Sequence, residues 1–238
     1  MKLKRSYLFL SFVLLLVIST NAIKVNAMNT GFFTEDLSDE TKTTFVANIN
    51  ISLLSAEPAK KGVLCFDVNE QGLIAIGQKG SQDKEVCVYT SQGEFLYGYT
   101  FNCTQSFCVE WDEQHVNIYF IRSDVIISLD SDGNILDIKA AQDTIDNNSY
   151  INSLLYSTTR EVGNTTYLIR NDMGILNLVA TSFSQIVVVD DTGVESVIYD
   201  VNSTQLVKTI TIVTLVGIFV LSAISVLVWQ FIKSRRSN

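Results

Sequence analysis

Apolar and polar positions divide this chain into three regimes. Residues 209–232 (TITIVTLVGIFVLSAISVLVWQFI) run for 24 residues without a charge. At the helical rise that is about 36 Å, enough to cross a hydrocarbon core with some tilt. Lys208 bounds one end, and Lys233, Arg235 and Arg236 bound the other. Trp229 lies near the second end, where an indole favours the headgroup boundary. The pattern predicts one transmembrane helix over 209–232. A second apolar run, residues 7–18, holds only 12 residues, follows Lys2, Lys4 and Arg5, and precedes the small residues Ala22 and Ala27. It is too short to span and has the layout of a cleavable secretory signal over 1–27. Between the two runs the apolar segments are short and interrupted. Residues 44–54 (TFVANINISLL) alternate, with Ile49, Ile51 and Leu53 on one face and Asn48, Asn50 and Ser52 on the other. That alternation predicts a strand.

From Gly62 onward the pattern repeats. The first unit is VLCFDVNEQGLIAIGQ followed by KEVCVYTSQGEFLYGYTF. The second is SFCVEWDEQHVNIYFIRSDVIISLDSDGNILDIKA, and the third TTYLIRNDMGILNLVATSFSQIVVVDDTGVESVIYDV. Each reads as four short strands, with a turn ending in glycine before the last. These glycines, Gly93, Gly133 and Gly193, stand 40 and 60 residues apart, the longer interval carrying a polar insertion over 143–163. A period near 40 with four strands per unit is the signature of propeller blades or stacked meanders. The predicted fold is therefore an all-β domain over 43–207, propeller-like or of stacked four-stranded meanders, with three to four units. Closing a ring of four would recruit the strand at 45–54 and one from the insertion; otherwise the array stays open or closes by oligomerising.

The stretches FDVNEQGLIAIG, VCVYTSQGEFLYGYTF and FCVEWDEQHVNIYFIRSD resemble a family of uncharacterised single-pass membrane proteins of Gram-positive, Clostridia-type bacteria. That family has a β-propeller-like extracellular domain. The resemblance covers residues 62–140 well and the third unit more loosely. It implies a propeller-like fold and a bacterial source, and it implies no activity. Trp111-Asp112 is not a WD-repeat mark, since it falls in the first strand of its unit and does not recur.

Charge adds an orientation. All 25 Asp and Glu lie between Met28 and Val207, where only nine Lys and Arg stand against them, leaving −16 where the whole chain carries −8. The basic excess beside the apolar run is on its C-terminal side. This predicts a type I cell-membrane protein with the acidic domain extracellular and the tail, 233–238, cytoplasmic. An acidic exported domain is not expected to bind nucleic acid or anionic headgroups. Residues 28–42, acidic and polar, are expected to be disordered.

Catalytic chemistry is hard to find. His115 is the one histidine and sits in a turn, so neither a triad nor a histidine metal centre can be built on a second one. Gly77 and Gly80 lack the spacing of a phosphate loop. Glu110, Asp112 and Glu113, or Asp190 and Asp191, are paired carboxylates among many, and no pair stands out as acid and base. Arg122 and Asp124 are spaced to ion-pair within a unit. No cofactor is expected, calcium excepted: Asp130, Asp132 and Asn134 in LDSDGNILD place alternate oxygen ligands about a glycine turn. A hairpin turn accounts for the same residues without metal. The four cysteines, Cys65, Cys87, Cys103 and Cys108, allow three complete pairings. A staple between Cys103 and Cys108 is the expected one, with buried thiols as the alternative. Sequons occur at Asn50, Asn102, Asn147, Asn164 and Asn202. The tail KSRRSN is too short for a signalling domain, and Gly217 has no small partner four residues away.

The expected function is thus a membrane-anchored binding or accessory module without catalytic activity. Its expected partners are the membrane and another membrane or cell-surface protein. The alternative reading is a calcium-dependent propeller hydrolase of the lactonase kind.

Overall fold

A computed structural model describes residues 28–79 and 83–236. The signal sequence expected over 1–27 and the last two residues of the tail lie outside the described residues. The repeat is realised as three separate antiparallel meanders. Sheet 1 contains β3 (Val63–Val68), β4 (Ile74–Lys79), β5 (Lys84–Tyr89) and β6 (Phe95–Phe101). Sheet 2 contains β7 (Phe107–Asp112), β8 (His115–Phe120), β9 (Val125–Leu129) and β10 (Ile135–Ala141). Sheet 3 contains β11 (Thr159–Val162), β12 (Thr165–Arg170), β13 (Gln185–Val189) and β14 (Glu195–Asp200).

The segment ahead of the repeat differs from expectation in two ways. Residues 28–42 are ordered: Phe32 is buried, β1 (Thr34–Asp36) pairs with the outer edge of β10, and Lys139 bonds Asp36. The expected strand at 44–54 is mostly helix, α1 (Asp39–Ile49), followed by a two-residue strand β2 (Ser52–Leu53) on the outer edge of β6. The Ser38 hydroxyl caps α1 by accepting from the Thr41 amide at 3.2 Å, with Asp39 and Glu40 in the first turn. Asn50 ends it in the left-handed region at φ 45°. The apolar residues that matter are Phe45, Val46 and Ile49, which share one helical face against the core. No fourth sheet forms among the described residues. The polar insertion instead carries helix α2 (Ile145–Tyr156), capped by Thr144 and packed on β7.

Two cores result. One lies between sheets 1 and 2 and takes in Val86, Val88, Ile118 and Phe120; the other lies between sheets 1 and 3 and takes in Phe66, Ile76, Tyr89 and Tyr199. Sheet 1 is buried on both faces, which explains the unbroken apolar runs of β4 and β5. The edge strand β3 packs against both β7 and β11, and Val63 pairs with Phe183 beside β13.

The turn glycines have a common cause. Asn69, Thr90, Asp130 and Asp190 each accept, through a side-chain oxygen, from the amides two and four residues later. The residue between those two donors is glycine at φ 78° to 82°. This is a type I turn with a G1 bulge, repeated four times, and only glycine takes the bulge conformation freely.

The last helix, α3 (Asn202–Arg236), is 35 residues long and starts two turns before the expected span. Residues 202–229 are long and apolar enough to cross a membrane, and their most apolar stretch has a mean hydropathy of 2.6 with no residue buried. Its first turns dock on the domain, where Gln205 and Thr209 are buried.

Candidate functional site

Three segments distant in sequence meet at Asp67 on β3. Its Oδ2 accepts from the Trp111 amide of β7 at 2.7 Å, and its carbonyl accepts from the Trp111 indole at 3.2 Å. Its Oδ1 accepts from Arg160 Nε of β11 at 2.8 Å. Arg160 also stacks over the Phe66 ring at 5.2 Å and donates to the carbonyls of Thr159 and, at the end of α2, Leu154. Both charged side chains are only 15 % exposed, so this ion pair is screened far less than a surface one. The tie joins one strand from each of the three sheets.

Beside this tie opens a polar cleft of about 530 Å³. One wall is the β3–β4 turn, with Glu70 and Gln71; the other is the β7–β8 turn, with Glu113 and Gln114. Asn69 fixes both walls. Its Oδ1 accepts from Gln71 and Leu73, and its Nδ2 donates to the Glu113 carbonyl at 3.4 Å. Glu113 is held at φ 52°, a left-handed backbone that carries a cost for a residue with a Cβ. Arg160 compensates Asp67 at the floor. The carboxylates of Glu70 and Glu113 make no hydrogen bond or ion pair among the described residues and are exposed. The cleft is therefore net negative, with amide groups beside the charges.

Its third side is Asn29, the first residue of a strap formed by residues 29–33. Asp112 accepts from the Asn29 amide at 2.7 Å, and Asn117 donates to the Asn29 carbonyl at 3.1 Å. Glu110 accepts from Thr30, the Gly31 amide and the Tyr150 hydroxyl. Burial and the Glu110 contact push the Tyr150 hydroxyl above its ordinary pKa, so it remains a donor. Asn147 copies a strand partner, accepting from the Phe33 amide and donating to the Phe33 carbonyl. It is only 2 % exposed, so this sequon asparagine is a structural residue.

The residues singled out from sequence fall in different places. Asp130 uses Oδ1 for the Asp132 and Asn134 amides and Oδ2 for the Asn134 side chain. It is a turn-forming carboxylate, as Thr90 is a turn-forming hydroxyl. Burial raises its pKa and the bonds from Asn134 and Asp132 lower it, and the bonds prevail. Among the described residues no group of three or more His, Cys, Asp or Glu is placed to hold a metal ion. The Cys103–Cys108 staple is not formed, and all four cysteines are free thiols. Cys108 is buried in the core, while the Cys103 thiol donates to the Gln105 carbonyl. Arg122 and Asp124 form no ion pair among the described residues; Asp124 accepts from the Tyr119 hydroxyl instead. Of the carboxylates noted in sequence, Glu113 alone lines the cleft. Asp67, Arg160 and the role of Trp111 were not legible, because the three meet only through the packing of separate sheets. No family model, curated protein or solved structure matches the chain.

Proposed function

We propose that this chain is a membrane-anchored binding module whose acidic cleft receives a cationic, hydrogen-bonding segment of another cell-surface protein. The observation that carries the reading is the unpaired state of Glu70 and Glu113 above a floor already neutralised by the Asp67–Arg160 pair. A fixed floor with free carboxylates on its rim attracts positive charge without first having to rearrange. α3 serves as the span, with the acidic domain outside and the basic tail inside. Contacts of β3 with both β7 and β11 support a propeller-like arrangement of the units about the Asp67 tie.

A photo-crosslinking amino acid at Gln71 or Gln114, in the full chain in its native membrane, tests the reading. The expected result is a discrete adduct that weakens with added salt, disappears in the Glu70→Gln/Glu113→Gln double variant, and is absent when the probe replaces Asp132 outside the cleft. Equal adducts from both places, or an adduct indifferent to the double substitution, would refute the proposal.

A further inference from the structure

A second cavity, of about 300 Å³, lies where α3 leaves the domain. One side is formed by the first turns of α3, with Gln205, Lys208 and Ile212; the other by Lys60, Lys61 and Ser182. None of its lining residues is acidic, in a region of the chain with a net charge of −16. Lys61 is paired with Glu85 at 3.0 Å, and Lys60 lies 3.7 Å from Glu57 and over the rings of Tyr89 and Tyr199. Lys208 has no ion-pair partner among the described residues. The cavity therefore keeps a positive balance at the one level of the molecule where a bilayer would begin.

Two further observations point to an occupant. Gln205 is 91 % buried by exposure of 9 %, and its Oε1 has no hydrogen-bond partner, while its Nε2 is held by the Ser182 carbonyl at 2.5 Å. A buried acceptor left in this state is destabilising unless a donor reaches it. Gly62 keeps the floor open, since a Cβ there would sit 2.8 Å from that same oxygen. Alongside, a short 3₁₀ helix, Gly174–Val179, touches α3 and exposes Ile175 at 83 % and Leu178 at 86 %. Apolar side chains this exposed, next to the outer end of a membrane helix, suit the acyl boundary of a bilayer.

We infer that this cavity seats the headgroup of an anionic phospholipid bearing a hydroxyl, such as phosphatidylglycerol. The phosphate would lie against Lys60 and Lys208, a headgroup hydroxyl would donate to Gln205 Oε1, and the acyl chains would follow Ile212 and Val213 beside the exposed 3₁₀ helix. The inference qualifies the expectation from net charge that the domain avoids anionic lipid, because the local surface here is opposite to the whole. It rests on α3 being a membrane span.

The test uses the full chain in nanodiscs of phosphatidylcholine with a minority of phosphatidylglycerol, followed by native mass spectrometry of the lipids that stay bound. Wild type is expected to retain phosphatidylglycerol in preference to phosphatidylcholine. Each basic residue at a lipid surface contributes about a fivefold preference, so Lys60→Gln/Lys208→Gln is expected to lower it about thirtyfold. Equal retention of the two lipids by wild type, or an unchanged preference in the double variant, overturns the inference. So does full displacement of the bound lipid by soluble glycerol phosphate, which would mark a site for the free anion. Incorporation into the nanodisc is scored separately, and a chain that stays out of the bilayer refutes the span itself.

Discussion

Burial decides the chemistry of the four thiols. Cys65 and Cys87 are pushed up to about 12 by removal from water, and burial raises Cys108 strongly as well. Cys103 is raised too by burial, but it is half-buried and sits in the link between β6 and β7. Iodoacetamide at pH 8 is therefore expected to label Cys103 first and the other three only after unfolding. Simultaneous labelling of all four in the native chain would contradict this burial. The hairpin carboxylates give a second expectation. Asp190 is held below the ordinary carboxylate range by the Thr192 hydroxyl and the Val194 amide, and Asp130 is lowered by Asn134 and Asp132 after its burial cost is overcome. A depressed folded pKa contributes stability that is present above the unfolded value near 3.8 and disappears as pH falls through the folded value. Thermal unfolding should lose stability below about pH 4. Asp130→Asn with Asp190→Asn, which keeps an acceptor oxygen, should flatten that acid limb while leaving the hairpins intact.

Among the elements, the repeat was the most legible feature, because alternation and turn chemistry act over a few residues. Thr90, Asp130 and Asp190 with their glycines mark the third-to-fourth-strand turn of each unit, and the three sheets follow that marking. Residues 44–54 misled because Ile49, Ile51 and Leu53 alternate across a helix end; the capping signal at Ser38 and the Phe45–Ile49 spacing were the better guide. The segment 28–42 looked disordered by composition, yet it is held by distant partners, Glu110, Asn147 and Lys139. Such partners cannot be read from a local window. This strap carries a testable cost. Phe32 packs on Tyr119 at 4.6 Å and on Tyr150 at 4.9 Å, so Phe32→Ala should destabilise the chain by about 3–5 kcal/mol in denaturant unfolding. Ser38→Ala should cost about 1 kcal/mol by the same measurement. A negligible effect of Phe32→Ala would mean that the strap is peripheral to the fold.

For the molecule as a whole, the long helix is legible from sequence as an apolar run, yet it starts two turns earlier than that run. The apolar run was evident, but its first two turns belong to the domain, and the polar residues Ser203, Thr204 and Gln205 gave no sign of it. A membrane span predicts that the chain stays with the pellet after alkaline carbonate extraction, and that an epitope added after Asn238 resists external protease while the β-domain is digested. Release by carbonate, or loss of the epitope, would reverse the anchor or its orientation. Only Val201 separates β14 from α3, and its amide is bonded to the Ser184 carbonyl. There is accordingly no tether on which the domain can swing. Whatever surface holds the helix also sets the domain's stand-off and heading, so the partner proposed above, if embedded in that surface, would be met by lateral diffusion in two dimensions. Its reach is that of a fixed bracket, and inserting a few flexible residues at Val201 would turn it into a leash.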